Sequence, residues 1–486
     1  MSFRVKSLKG LIWNHFARLL DYGLAYFLSV LFARRLGATD YGVYVTMMGI
    51  ASFILIIGGV GLDETLNKFI SQLYSEQKFD EIRFVTSRLL VLRVMVMMLL
   101  CFAIFLLRSP LSVLFHNEQV AQYVSVLVFY IFSQGLVNFF SNIYTAQLRT
   151  YYVLVINVAG KILNIGISLF LLSMQYKLTS IFFLFSVVSF LSLAVYVFGV
   201  RKSVAGKQSS VVMRPIYNFT LVTWFNAFLA LALGRYSDIL LLGFFLGTTA
   251  QTGFYDVAFS LTTLVDYTFT VGLVGVWLSV ISELALKNQS RLAGMRARLI
   301  QYQQFFIFPA GFFCLLYPER IITIFFSTKY LSAVPLFRVY LSFLLLSIFF
   351  GNRENLGFLL AIGKQNVAIF SRTVIGCINV VLNWFIIPKY GAIGAIFSTG
   401  FCALVSNGVE FMIASHFIGK QYNAVFTLKV LLVTLTCLGI TSFIPVHSFS
   451  AFAMNGISYL IFIIVGYQLL KVFDFSPRAL EKSLGM

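Results

Sequence analysis

Fourteen apolar runs follow one another along the chain, at about 10–33, 42–61, 88–107, 120–140, 151–174, 179–200, 216–244, 252–282, 300–325, 333–351, 366–387, 391–416, 426–444 and 452–471. A helix needs roughly 20 apolar residues to cross the hydrocarbon core of a bilayer, and every run approaches or passes that length. Two of them, 216–244 and 252–282, are long enough to tilt or to run past the bilayer. Stretches such as 89–107 and 181–200 are apolar at consecutive positions, whereas barrel strands alternate over about 10 residues. The pattern predicts an all-α integral membrane protein with about 14 transmembrane helices. The longest polar connection, from Asp63 to Arg88, is too short for an extramembrane domain.

Composition removes the main competitors. Of the 486 residues, 59% are hydrophobic and 11% charged, with a mean hydropathy of +0.90. Soluble domains carry about 25% charged residues. A soluble enzyme and a disordered chain are both excluded on this ground. The net charge of +19 does not point to nucleic acid, because the Lys and Arg residues lie between apolar runs rather than on one soluble face. Instead they orient the chain. With the N-terminus in the cytoplasm, 23 Lys and Arg fall on the inner side, 8 on the outer side and 5 inside spans. Both termini are therefore expected in the cytoplasm. Arg4, Lys6 and Lys9 before an apolar start resemble a signal peptide, but Asn14, Arg18 and Asp21 interrupt it, and the segment reads as a retained helix. The five cysteines form no CxxC pair and read as small hydrophobes.

The turn after the first span, Leu36-Gly37 followed by Gly42-Val43-Tyr44, returns six spans later as Leu246-Gly247 followed by Gly253-Phe254-Tyr255, one residue out of register. Both turns fall on the outer side, so the halves share an orientation, a recognised transporter plan. The expected division is 1–205 and 206–419 as two six-helix bundles related by a pseudo-two-fold axis, with 420–486 adding two helices and a tail.

Chemistry concentrates in polar residues inside the spans, where a charge costs at least about 2.5–3.5 kcal/mol at mid-helix. Asn14, Arg18 and Asp21 share one helical stripe, as do Asn157, Lys161 and Asn164 in the fifth span and Arg372, Asn379 and Asn383 in the eleventh. Gln134, Asn138 and Ser141 form an uncharged polar face. Arg93, Arg235, Asp238, Asp256, Asp266, Asn407 and Glu410 complete the set. One reading places these stripes around a water-filled cavity. The other pairs Arg18 with Asp21 and Arg235 with Asp238 as local packing devices, with Arg93 and Arg235 snorkelling. Cations without a nearby acid favour an anionic cargo such as a phosphate or pyrophosphate. No catalytic set, metal motif or P-loop occurs, no cofactor is implied, and energy is expected from an ion gradient, the membrane potential or product consumption.

Several segments carry a resemblance. Lys9-Gly10-Leu11-Ile12-Trp13-Asn14, Ala33-Arg34-Arg35-Leu36-Gly37-Ala38-Thr39-Asp40-Tyr41-Gly42-Val43-Tyr44 and Gly59-Val60-Gly61-Leu62-Asp63 look like the start of bacterial polysaccharide flippases of the Wzx type. The turn 246–255 and Ile387-Pro388-Lys389-Tyr390-Gly391-Ala392-Ile393-Gly394-Ala395 fit the same pattern. These flippases belong to the multidrug/oligosaccharidyl-lipid/polysaccharide exporter superfamily. The resemblance implies two six-helix bundles, alternating access, and movement of an undecaprenyl-pyrophosphate-linked oligosaccharide (an O-antigen or exopolysaccharide repeat unit) from inner to outer leaflet of the bacterial inner membrane. Partners would be that lipid, a counter-ion (H+ or Na+), membrane lipids, and polysaccharide polymerase and chain-length proteins.

On this reading Arg18, Lys161 and Arg372 meet the pyrophosphate, supported by Arg93 and Arg235. Asn14, Asn157, Asn164, Gln134, Asn138, Asn379 and Asn383 hydrogen-bond the cargo, and Asp21, Asp238, Asp266 or Glu410 binds a coupling ion. The nearest alternatives are a multidrug/cation antiporter of the same superfamily and a membrane polysaccharide polymerase. The orientation is checked by C-terminal fusions: alkaline phosphatase should be inactive there and green fluorescent protein should fluoresce, and the reverse pattern would overturn it.

Overall fold

The computed structural model describes residues 3–204, 211–232, 234–247, 249–287, 291–351, 354–419, 422–446 and 448–472. Side chains are described in these segments except at 3–19, 200–204, 229–232, 269–280, 282–287, 354 and 365. In order, the helices are α1 (Phe3–Leu36), α2 (Ala38–Gly59), α3 (Leu62–Thr65), α4 (Ser71–Ser75), α5 (Phe79–Leu106), α6 (Arg108–Leu114), α7 (Gln119–Ala146), α8 (Thr150–Ser173), α9 (Leu178–Val204) and α10 (Met213–Ala232). There follow α11 (Arg235–Leu246), α12 (Ala250–Lys287), α13 (Leu292–Leu316), α14 (Pro318–Phe325), α15 (Val334–Ile348), α16 (Glu354–Ala361), α17 (Gln365–Ile418), α18 (Ala424–Ser442) and α19 (Phe449–Leu469). A π-helical turn (Leu66–Ile70) joins α3 to α4, and a 3-10 turn (Thr328–Ala333) leads into α15.

The protein is all-helical across the described residues, where ten helical stretches are long and apolar enough to cross a membrane. The departures from the expected spans have local causes. The run 216–244 is interrupted at Gly234, whose backbone is extended (φ −101°, ψ 159°), so α10 and α11 are separate helices. The run 300–325 divides where Pro318 opens α14, since proline suits the first turn of a helix. The runs 366–387 and 391–416 lie within α17, which bends at Gly391 (φ 60°, ψ −140°). There the Gln251 Oε1 accepts from the Ala392 amide at 3.1 Å, satisfying one of the N–H groups that the bend exposes.

Packing groups the chain into two compact units. The first comprises Met1–Ser260, Ile322–Leu336 and Arg372–Cys402, and the second Leu261–Ile321, Phe337–Ser371 and Ala403–Met486. This grouping follows contacts, whereas the division at 205/206 and 419/420 follows topology. In the first unit Leu66, Val85, Leu89, Phe139, Ile143 and Tyr196 form a fully buried core. In the second, Ile307, Phe308, Ile348 and Val430 do the same. One face of α2 carries the small residues Gly42, Thr46 and Gly49, which lets α11 approach closely. A Cβ on Gly49 would lie 2.8 Å from the Ile239 side chain.

Cations, some buried and some exposed, secure the helix ends. Arg93 of α5 is 0% exposed. It donates to the Gly58 carbonyl at the end of α2 (2.6 Å) and through two nitrogens to the Gly135 carbonyl in α7 (2.9 and 3.1 Å). The last carbonyls of a helix lack intrahelical partners and carry partial negative charge, so a guanidinium there satisfies both needs. Arg34 serves the end of α14, donating to the Phe325 carbonyl (2.7 Å) and to the Ile324 carbonyl. In the second unit Arg296, also 0% exposed, donates to Ser415 Oγ (2.9 Å) and the Gly419 carbonyl (3.0 Å) at the end of α17. Lys429 donates to the Leu470 carbonyl after α19. Arg296 precedes the apolar run 300–325, but α13 starts at Leu292 and draws it into the packed interior.

Replacing Arg93 with Met should leave the Gly58 and Gly135 carbonyls without this donor and lower stability by about 2–4 kcal/mol. Thermal unfolding in detergent measures it. An unchanged melting temperature would show that these carbonyls need no donor.

Candidate binding site

The break at Gly234 organises the polar centre of the first unit. Because α11 starts afresh inside what the sequence presents as one long span, its first turn carries Arg235 and Asp238 in the interior of that apolar run. Discontinuous helices of this kind build binding sites in transporters.

Asp238 is 0% exposed. Its Oδ2 accepts from the Tyr255 hydroxyl (2.6 Å) and from Thr399 Oγ1 (2.6 Å), and its Oδ1 from Asn383 Nδ2 (2.8 Å). Asn379 stands one turn from Asn383 on α17. Its Oδ1 accepts from Thr399 Oγ1 (3.3 Å) and Asn383 Nδ2 (3.5 Å). Ser398 Oγ donates to Asn383 Oδ1. A carboxylate removed from water is tolerable only when its lone pairs are engaged, and here three donors engage them. The α17 stripe of Asn379 and Asn383 thus meets the acid of α11, joining residues assigned by sequence to cargo and to ion. Carboxylate, amide and hydroxyl oxygens are the donor set of a hard cation. Among the described residues no three His, Cys, Asp or Glu converge as a metal site.

A second cluster lies on the same helices. Arg235 pairs with Asp256 Oδ1, and Asp256 Oδ2 accepts from the Tyr41 hydroxyl (2.7 Å), which lies 2.6 Å from Ser29 Oγ. This corrects the local pairing of Arg235 with Asp238. Asp238 is satisfied by neutral donors, while the charged partner of Arg235 comes from α12. Arg235 is then a neutralised cation, its side chain 31% exposed.

The pairing of Arg18 with Asp21 is also replaced, because Asp21 takes Lys161. The Lys161 Nζ lies 2.5 Å from Asp21 Oδ1 and 2.9 Å from the Asp21 carbonyl, tying α8 to α1 across 140 positions. The pair is half-buried, at 28% and 35% exposure. On the same face of α8, Asn157 Oδ1 accepts from the Tyr196 hydroxyl (3.2 Å), and Asn164 Oδ1 is buried with no hydrogen-bond partner among the described residues. On α7 a chain of amides runs from Ser189 Oγ to Gln134 Oε1 (3.1 Å) and from Gln134 Nε2 to Asn138 Oδ1 (3.1 Å).

The remaining expectations divide. Arg93, expected among the cargo-facing cations, is fully buried and donates to carbonyls through all three guanidinium nitrogens. The side chains of Asn14 and Arg18 lie outside the described residues. Arg372 is half-buried and Asp266 and Glu410 are buried, each engaged by neighbouring groups. The second unit also contains a cavity of about 950 Å³, lined by Leu346, Phe349, Phe350, Phe411, Met412, Ser415, His416 and Tyr422. Sequence reading gives no role to Tyr41, Ser398 or Thr399, whose residue types are ordinary in membrane helices. It named Asp256 without giving it a role. Only the repeated Gly-x-Tyr turns flagged Tyr255, and nothing flagged Thr399.

The model for the family described as "Polysaccharide biosynthesis protein" matches residues 31–335. An uncharacterized membrane protein of Methanocaldococcus jannaschii is 26% identical over 479 residues, covering 92% of this chain and 90% of its own. Among solved structures, the lipid II flippase MurJ in an inward closed conformation superposes with a TM-score of 0.74 at 17% identity, over 94% of this chain and 99% of that one. A multidrug resistance MATE family transporter of the MOP superfamily, inward-facing, gives 0.60 at 15% identity, over 82% and 94%.

The two ion pairs should differ in weight. Asp256→Asn strands a guanidinium beside a fully buried position and should destabilise by about 3–5 kcal/mol, whereas Asp21→Asn, at a half-exposed pair, should lose about 1 kcal/mol or less. Denaturation midpoints of the purified variants check the ordering.

Proposed function

Because the chain belongs to the polysaccharide biosynthesis protein family and has the fold shared by MurJ and MATE transporters, we propose that it is a flippase. It moves an undecaprenyl-pyrophosphate-linked oligosaccharide from the inner to the outer leaflet by alternating access between halves 1–205 and 206–419. It acts in the bacterial inner membrane with both termini in the cytoplasm, and feeds a polysaccharide polymerase and its chain-length partner. It performs no covalent chemistry.

The broken α10–α11 helix supports this reading, because the Asp238 cluster lies buried at a helix break inside an apolar run of the first unit. We assign the counter-ion to that cluster. Turning the Asn383 amide would point its oxygen at the same centre as Asp238, Asn379 and Thr399, giving a Na+ ion an all-oxygen environment; a proton on Asp238 is the other occupant. Asp21, Asp266 and Glu410 are then secondary candidates. Cargo contact falls to Lys161 with its half-exposed partner, to Arg18 and Arg372, and to the amides Asn14, Asn157, Asn164, Gln134 and Asn138. Asn164, whose buried oxygen lacks a hydrogen-bond partner among the described residues, is suited to accept from a hydroxyl. Each negative charge carried outward is favoured by about 2.3 kcal/mol per 100 mV, inside negative.

The antiporter alternative is favoured by one observation, the acidic centre at Asp238, which would also attract a cationic drug. Complementation of a strain lacking its own polysaccharide flippase decides between them. The wild-type chain should restore surface glycan and give little dye efflux. Asp238→Ala should cut export at least about ten-fold, a loss of roughly 1.4 kcal/mol or more, at equal protein levels. Dye efflux without glycan export would overturn the flippase reading. Full export by Asp238→Ala would remove the ion assignment alone.

A further inference from the structure

A cavity and a cation of the second unit have no part in the function proposed above. The cavity of about 950 Å³ is lined from the end of α15, from the last two turns of α17 and by Tyr422, in the connection to α18. Much of the lining is apolar, and Leu346, Phe350 and Met412 are exposed. Such side chains suit lipid tails, which are as apolar as leucine. The polar lining residues Ser415 and His416 are adjacent near the end of α17. The exposed His416 ring lies against Phe417 (5.0 Å between centroids), and the Lys364 Nζ stands 4.8 Å from that same Phe417 ring.

Arg296 stands behind this polar end. It donates to Ser415 Oγ (2.9 Å), and its guanidinium carbon lies 5.0 Å from the centroid of the Phe411 ring, so it touches two lining residues. Its other partners are Asn355 Oδ1 (3.4 Å) and the carbonyls of Phe411 (3.3 Å) and Gly419 (3.0 Å). Each of these partners is neutral. Its Nε is buried with no hydrogen-bond partner among the described residues. The adjoining acid, Glu410, is itself buried and engaged by neighbouring groups. A guanidinium withdrawn from water is costly without a counter-charge nearby, so the wall formed by Phe411 and Ser415 favours an anion on its open side.

We propose that this cavity binds an anionic glycerophospholipid of the inner leaflet. The acyl chains fill the apolar part, and the phosphate sits at the Ser415–His416 end, in front of Arg296. Basic pockets between membrane helices on the cytoplasmic side hold lipid headgroups in this way. A free phosphate would leave the apolar lining without a partner. The proposed cargo also joins phosphate to an apolar tail, but every residue given cargo contact above belongs to the first unit, so the occupant here is a bilayer lipid. The inference takes the inner leaflet from the orientation proposed above and is independent of the cargo.

The test reads lipid binding rather than transport. The full chain, delipidated in detergent, is titrated with phosphatidylglycerol or with phosphatidylethanolamine of the same chains, and bound lipid is counted by native mass spectrometry. One phosphatidylglycerol should bind roughly ten-fold more tightly than phosphatidylethanolamine. Met412→Trp, which fills the cavity, should weaken phosphatidylglycerol binding about ten-fold or more. Met454→Trp, at an exposed position of α19 outside the lining, should not. Leu346→Trp serves should Met412→Trp fail to accumulate. His416→Glu should abolish the preference for phosphatidylglycerol and leave phosphatidylethanolamine unchanged. Equal binding of the two lipids by the wild type would overturn the inference, as would phosphatidylglycerol binding that survives both tryptophan variants. So would displacement of phosphatidylglycerol by glycerol phosphate alone, the mark of a plain anion site, or by an equal concentration of a polyprenyl phosphate, the mark of a cargo site. A chain that binds phosphatidylglycerol as expected yet fails to restore glycan export would sink the flippase reading and leave this site standing. Export without lipid binding would do the reverse.

Discussion

The carbonyl groups at the C-terminal ends of membrane helices set the terms for the rest of this molecule. They have no partner within their helix, and hydrocarbon offers no water to replace one. Here the side chains of other helices supply the donors. Arg93 serves α2, Arg34 serves α14, Arg296 serves α17 and Lys429 the end of α19. Trp224 reaches the Ile57 carbonyl one turn before the end of α2. Each such bond fixes a helix terminus to a neighbour, so the same interactions that satisfy the backbone also determine which helices touch. Cations that would be expensive in lipid become inexpensive once partial negative charges surround them.

This changes how intramembrane charge should be interpreted. A cation with no acid nearby in sequence invites assignment to an anionic cargo, yet Arg93 has ample partners in carbonyl oxygens. Arg235 and Lys161 find carboxylates 21 and 140 positions away. The polar centre of the first unit is therefore largely self-neutralised. What it offers is a buried carboxylate held by neutral donors at a helix break, beside half-exposed amides and one half-exposed ion pair. Under the proposed function, the donors around Asp238 would be traded for a cation and the part-exposed Asp21–Lys161 pair for an anion at small energetic loss.

Fold and family bear on different questions. The family match speaks to polysaccharide biosynthesis, while the superposition joins a lipid II flippase and a multidrug transporter on one architecture. One scaffold hosting different cargoes is the usual state of affairs, and the cargo is decided by site residues. In the function proposed for this chain those are the α8 stripe, the α7 amides and the α11–α17 cluster.

The sequence by itself determined the solvent, the helical class, the approximate spans and the repeated turns, because burial in lipid demands continuous apolar runs of known length. It also placed Asn379 and Asn383 on one face, since helical periodicity is local. The break at Gly234 was invisible, as one glycine in an apolar run is common in membrane helices. The partners of the charges were invisible too. Asp256 for Arg235, Asp21 for Lys161 and Thr399 for Asp238 are brought together by packing between distant helices, and spacing along the chain carries no information about that. Tertiary structure alone decided which charges were spent on holding helices together and which remained available, because that depends on donors and acceptors converging from several helices at once.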